Sequence, residues 1–201
     1  MIRAITFDLD GVYFPNGKKN FIKALQGHGV SKDEAERVFL KSHEMNSQYK
    51  LGKMTDDEYW IWAAKEWGVP LSPKELIALL VSGYDVSPEV KKVVHAAREH
   101  GYKTLICSNN FPARVNGLQE RFGFLDNFDT SVFSYEVGAT KPSEAIFIEL
   151  VKRSRLAAEE IAFADDDADN VSGAKAVGVT AFLYEDFDKF MEHLMLLGVK
   201  L

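Results

Sequence analysis

Short apolar runs rich in β-branched residues alternate along this chain with longer amphipathic stretches. Residues 2–7 (IRAITF), 102–107 (YKTLIC), 130–134 (TSVFS), 160–164 (EIAFA) and 179–184 (VTAFLY) read as strands. Several are apolar almost throughout, as expected of strands buried on both faces of a parallel sheet. Helical periodicity falls between them, near 88–100, 112–122, 143–153, 169–177 and 186–197. This alternation predicts an α/β fold with right-handed crossovers, whose site lies outside the carboxyl ends of the strands.

Residues 16–85 break the rhythm. They hold no convincing strand, but three capping boxes: Ser31 with Glu34, Thr55 with Glu58, and Ser72 with Glu75, the last followed by Pro73 at the first helical position. With the pattern FIKALQGHG ahead of them, these predict about four helices inserted between the first and second strands. The chain therefore divides into an α/β core, residues 1–15 and 86–201, and a helical domain, residues 16–85.

Every strand end but the last carries unusual polar residues. The first ends in Asp8-Leu9-Asp10-Gly11, the second in Ser108-Asn109-Asn110, the fourth in Asp165-Asp166, and Gly138-Ala139-Thr140-Lys141-Pro142 follows the third. Residues i and i+2 of a strand point the same way, so Asp8 and Asp10 aim two carboxylates at one space. Gly11 lets the backbone turn away. Ser108 and Asn109 offer a hydroxyl and N–H groups suited to phosphate oxygens. Proline biases Lys141 toward an extended conformation. Asp165 and Asp166 could complete a site for a hard cation such as Mg²⁺, which prefers oxygen ligands. Taken singly, each motif reads as a turn, a cap or an exposed lysine. Together they supply what phosphoryl transfer needs: an anionic nucleophile, a metal, a proton donor and positive charge for the equatorial oxygens.

Composition narrows the partners. The formal net charge is −6 and the lysines and arginines are scattered, which argues against nucleic acid. The pairs Lys18-Lys19 and Lys91-Lys92 read as solvated helix surface. No apolar run is long enough to span a membrane, and the N-terminus lacks the apolar core of a signal peptide. The single cysteine, Cys107, reads as a buried thiol and fits a reducing, cytoplasmic setting. The five histidines lie far apart or at spacings that do not share a helix face, and none suggests a zinc site.

The motifs FDLDGV (7–12), CSN (107–109), GATKP (138–142) and FADDDADNVSGAKAVG (163–178) resemble, in order and spacing, the four motifs of the haloacid dehalogenase-like hydrolase superfamily. Within its helical-cap branch the chain is most similar to small sugar-phosphate phosphatases of the α-D-glucose-1-phosphatase type, and to the phosphatase domain of soluble epoxide hydrolases. The resemblance implies a Rossmann-like core with a parallel β-sheet flanked by helices, plus a small α-helical bundle as cap domain. It implies that Asp8 attacks phosphorus, forming an aspartyl-phosphate, and that Asp10 protonates the leaving alcohol and then activates water. It places Ser108 and the Asn109 backbone on phosphoryl oxygens and Lys141 on the charge of nucleophile and phosphate. Magnesium falls to Asp8, the Asp10 carbonyl and Asp166, with Asp165 binding directly or through water.

Two departures from the family pattern stand out. Asp165 occupies a position that is often glycine, and Asn170 one that is often acidic, so the carboxylate count is kept by a shift of place. The third motif continues as SEAIF, an uncommon sequence there.

The expected substrate is a small phosphorylated metabolite, with the protein a monomer or homodimer. The alternatives are a 2-haloacid dehalogenase, a phosphomutase or a non-catalytic binding domain. Dehalogenation uses neither a metal nor a second acid, so Asp10 and the Asp165-Asp166 pair speak against it. Phe14, just ahead of the helical domain, and Tyr49, Trp60 and Trp62 within it are candidates to contact a leaving group, although helical spacing favours packing for Trp60 and Trp62. Lys50 and Lys53, beside Gly52, could reach a second anionic group or face water.

Overall fold

The computed structural model describes residues 1–201. Five parallel strands form one sheet: β1 (Ala4–Phe7), β2 (Lys103–Ser108), β3 (Thr130–Phe133), β4 (Ile161–Asp165) and β5 (Thr180–Leu183), in the order β3-β2-β1-β4-β5. Each lies within two residues of the run that predicts it. This order turns back on itself between β1 and β4, the crevice where open α/β sheets bind ligands.

Residues 17–82, between β1 and β2, are helical: α1 (Gly17–Gly27), α2 (Lys32–Glu36), α3 (Asp56–Trp67) and α4 (Pro73–Ser82). The boxes at Thr55 and Ser72 are complete, each hydroxyl accepting from the N–H three residues on and each glutamate accepting in return. The box expected at Ser31 is only half made. Ser31 accepts from the Glu34 N–H, but the Glu34 carboxylate pairs with Arg37. Between α2 and α3 the chain follows a course that no sequence pattern announced: wide π-helical turns at Arg37–Lys41 and Glu44–Gln48, then a 3₁₀ turn at Tyr49–Leu51.

The remaining helices are α5 (Pro88–Glu99), α6 (Pro112–Phe122), the short α7 (Ser134–Val137), α8 (Glu144–Ser154), α9 (Ala168–Ala176) and α10 (Phe187–Leu196). Strand side chains alternate between two apolar layers, as the pleat requires. Ile5, Phe7, Ile106 and Ala162 face one layer, which α5, α6 and α10 cover and which runs on without a break into the helical insertion. Ala4, Leu105, Cys107 and Phe163 face the other, beneath α8 and α9. Burial pushes the Cys107 thiol up to about 12, consistent with an inert packing role.

The insertion is also tied to the core by polar contacts. The Asp56 carboxylate accepts from the Ala113 N–H at 3.1 Å, so a residue of α3 caps α6, which lacks a cap of its own. Tyr49 donates to the same carboxylate. No helix is long and apolar enough to cross a membrane.

Because only two of the three boxes are complete, Thr55→Ala is expected to cost about 1 kcal/mol and Ser31→Ala clearly less. Urea denaturation of the two variants checks this; equal losses would contradict it.

Candidate active site

The carboxyl ends of β1, β2 and β4 are neighbours in the sheet, so Asp8, Ser108 and Asp165 meet at one edge. Asp8, Asp10, Ser108, Lys141 and Asp165 are all buried, the last completely. A cavity of about 470 Å³ opens over them. The core contributes to its wall Asp8, Asp10, Asn109, Lys141 and Asp166, together with Asp167, Ala168 and Asn170 from the start of α9. The insertion contributes Lys18 and Lys50. Of the strand-end residues expected from the sequence, Asp8, Asp10, Asn109, Lys141 and Asp166 line this cavity, and Ser108 and Asp165 are buried at the same edge of the sheet.

Lys141 lies between two carboxylates. Its Nζ is 3.0 Å from Asp8 and makes a short ion pair with Asp165 Oδ2. Burial alone would lower its pKa, but Asp8 and Asp165 outweigh this and keep it charged. The lysine is held from both sides. The Asn109 side chain accepts from the Lys141 N–H at 2.7 Å and donates to its carbonyl at 3.0 Å. A Cβ at Gly173 would lie 2.2 Å from the Pro142 carbonyl oxygen, so only glycine lets α9 close on this segment. The Asn109 amide thus serves Lys141, a role separate from the phosphate contact expected of its backbone.

Asp8 is pushed above the usual carboxylate range by burial, against the pull of Lys141 and with added repulsion from Asp165 and Asp10. The Ser108 hydroxyl beside it favours the ionised form but has no settled hydrogen-bond partner. An orphaned buried hydroxyl costs free energy unless a ligand meets it.

Asp10 turns the other way, into a cationic network. Its Oδ2 lies 2.6 Å from Arg114 Nη1 and 3.2 Å from Lys18 Nζ, and its Oδ1 accepts from the Tyr84 hydroxyl at 3.2 Å. Burial would raise its pKa, but Arg114 and then Lys18 hold it below the usual range. Arg114 is itself buried, donating to Asn110, Tyr84 and the Asn109 carbonyl while stacking over Phe111. Sequence reasoning missed Arg114, yet a signal was present. Phe111, Arg114, Val115 and Leu118 follow i, i+3, i+4, i+7, which puts a charge on the apolar stripe of α6. Lys18 was also misjudged as solvated surface; the fold aims it at Asp10.

Ligand oxygens of Asp8, Asp165 and Asp166 come within 4.8 Å of one another. Burial, followed by repulsion from Asp8 and Asp165, pushes Asp166 up to about 6. A Cβ at Gly11, where φ is +87°, would sit 2.2 Å from Asp166 Oδ2. Glycine therefore creates the cradle that brings Asp166 against the β1 turn. Lys141 relieves the repulsion between Asp8 and Asp165 but pairs with no oxygen of Asp166, and this all-oxygen donor set fits a hard divalent cation. Asp165 is the most engaged of the three. Its Oδ1 accepts from the Asp167 N–H at 3.0 Å and Asn170 Nδ2 at 2.9 Å, and its Oδ2 from Lys141. Asp167 caps α9 by accepting from the Asp169 N–H at 2.9 Å.

The aromatic candidates do not face the cavity. Phe14, Tyr49 and Trp60 are fully buried in aromatic packing, and Trp62 packs against the same core. Of the two lysines beside Gly52, Lys50 lines the cavity and Lys53 is exposed.

Residues 2–178 match the haloacid dehalogenase-like hydrolase family. The glyceraldehyde 3-phosphate phosphatase of Methanopyrus kandleri is 25% identical over 193 residues, covering 89% of this chain and 82% of its own. The D-ribitol-5-phosphate phosphatase of Bacteroides thetaiotaomicron is 25% identical over 195 residues, covering 92% and 93%. A haloacid-dehalogenase-family enzyme of that bacterium, crystallised with magnesium and inorganic phosphate, superposes with a TM-score of 0.81 at 21% identity, covering 94% of this chain and 99% of its own, which establishes the shared fold. Four strand-end motifs, one sheet order and a family match over most of the length agree, and this chain belongs to the haloacid dehalogenase-like hydrolases.

Proposed function

We propose that this hydrolase is a Mg²⁺-dependent phosphatase of small phosphomonoesters, acting through an aspartyl-phosphate on Asp8. The observation that carries the reading is the pairing of Asp8 with Lys141 at 3.0 Å inside a cluster of further carboxylates. A metal-independent dehalogenase would need neither Asp166 beside the nucleophile nor Asp10 behind it. The phosphatases among the relatives support the same reaction class.

Asp8 Oδ attacks phosphorus as the bond to the leaving oxygen breaks. Asp10 protonates that oxygen, then takes a proton from the water that cleaves the Asp8–phosphorus bond. Arg114 and Lys18 hold Asp10 ionised before substrate arrives, whereas an acid must be protonated. The incoming phosphoryl charge repels a carboxylate and draws on the same cations, and both effects move Asp10 toward its protonated form. Ser108 and the Asn109 backbone hold phosphoryl oxygens while Lys141 offsets their charge. Asp8, the Asp10 carbonyl and Asp166 would hold the magnesium, which supplies Lewis-acid charge stabilisation when bound. Asp165 keeps Lys141 in place and would reach the metal directly or through water. Residues 16–85 act as the cap that selects the substrate over a core of 1–15 and 86–201.

Hydrolysis of p-nitrophenyl phosphate is expected to require Mg²⁺, to vanish with EDTA and to fall roughly 10³-fold or more in Asp8→Asn. Full activity in that variant would sink the mechanism. In a Mg²⁺ titration, Asp166→Ala should weaken activation more than about tenfold. Asp167→Ala should instead cost about 1 kcal/mol of stability with metal affinity largely kept; equal loss of affinity would show the division between the two acids to be wrong. Arg114→Met removes one side of a buried ion pair. It should cost about 3 kcal/mol in chemical denaturation and lower kcat more than it raises KM; wild-type stability would refute the network.

A further inference from the structure

We propose that Lys50, with Lys18 beside it, binds a second anionic group on the leaving group. The substrate is then a compact phosphomonoester that also carries a carboxylate or a second phosphate. This rests on the phosphatase reading above and names the substrate class of that same site.

The first observation is how charge is divided across the cavity. The core wall presents four carboxylates, Asp8, Asp10, Asp166 and Asp167, against one lysine, Lys141, whereas the insertion presents two lysines, Lys18 and Lys50, and nothing else. One lining residue is apolar, Ala168, and it belongs to the core. Binding sites for drug-sized ligands are usually lined by apolar and aromatic side chains. A cavity without them gives a nucleobase or flavin no surface to stack on. It suits a small polar leaving group.

The second observation is that one of these cations lacks a counter-ion. Lys141 is shared between Asp8 and Asp165, and Lys18 pairs with Asp10. Lys50 makes no ion pair; its ammonium donates to Asn46 Oδ1 at 2.9 Å, leaving donors free for a ligand. Burial, then the nearby Lys18 and Arg114 charges, push it down to about 7. An anion placed against Lys50 relieves that repulsion.

The third observation is that Lys50 is held in place. It sits in the 3₁₀ turn that follows the two π-helical turns, a kind of helix distortion frequent at functional sites. Tyr49 before it bonds Asp56, which caps α6 of the core. Gly52 after it lies so close to the Tyr135 carbonyl that a Cβ would approach to 2.3 Å. The turn is therefore anchored to the core on both sides of the lysine.

The test compares kcat/KM, with Mg²⁺, for glycerol 3-phosphate, 3-phosphoglycerate and glycerol 1,3-bisphosphate. The wild-type protein should prefer one anionic substrate over glycerol 3-phosphate by about tenfold or more, the scale of one charge-assisted hydrogen bond. Which of the two is preferred distinguishes carboxylate from phosphate. Lys50→Met should bring the ratio close to one through a rise in KM for the anionic substrate, and Lys50→Arg should restore part of it. A wild-type protein without preference, or a Lys50→Met protein that keeps it, overturns the proposal. If p-nitrophenyl phosphate is still cleaved with Mg²⁺, that failure leaves the phosphatase reading standing; if nothing is cleaved, both fall.

Discussion

Lys141 lies between Asp8 and Asp165 at the carboxyl edge of the central strands, and most of the surrounding architecture keeps it there. Burying one ammonium and two carboxylates carries a desolvation cost of several kcal/mol per ion, and only close mutual pairing offsets it. The pairing needs the ends of β1 and β4 side by side, which the sheet order provides. It also needs the segment after β3 to be carried across the end of β2. The Asn109 amide clamps the Lys141 backbone from one side, and α9 closes on Pro142 through Gly173 from the other. Three motifs thus supply one buried charge cluster, Asp8, Lys141 and Asp165, which the second clamps through Asn109, and loss of Lys141 would leave two buried carboxylates without their shared cation.

A second buried network balances the first. Arg114, Lys18 and Tyr84 surround the Asp10 carboxylate and draw it away from the Asp8–Asp166 cluster. Lys18 and Tyr84 lie near the two ends of the helical insertion, Arg114 on the core helix α6. The position of the insertion is therefore coupled to the residue proposed as acid and base. The cavity between the two networks takes its acids from strand ends and its free cation from the insertion. In the proposed phosphatase the core would handle the metal and the phosphoryl group, and the insertion would select what is attached to it.

The pairing of Asp165 with Asn170 shows how far residue identity could be read before the fold was known. Counting carboxylates suggested that Asp165 makes up for the acid absent at 170. The contact is more specific. Asn170 donates an N–H to Asp165, which a carboxylate at 170 could not do, and a second negative charge there would repel Asp165 instead. The two departures from the family pattern are complementary. Asp165 accordingly holds Lys141 and is itself held by Asn170.

The strands, the order of the motifs and the helical insertion were legible in the sequence because each is written in local chemistry. Continuous apolar runs mark strands buried on both faces, caps mark helix starts, and Asp8, Lys141 and Asp166 stand at strand ends or in the loops after them. Arg114, Tyr84 and Lys18 were not legible, since their roles arise from contacts across 104, 74 and 8 positions, respectively, with Asp10. Packing of Trp60 and Trp62 was legible from their helical spacing, but the fate of Lys50 was not. Lys50 lies on a helical turn of the insertion, and only the docking of that turn decides that its side chain lines the cavity. By itself the sequence determined the fold class, the strand-end chemistry and the family, because these rest on periodicity and on residues at element ends. Tertiary structure decided which charges meet, because desolvation and Coulomb energies depend on distances that no local pattern encodes.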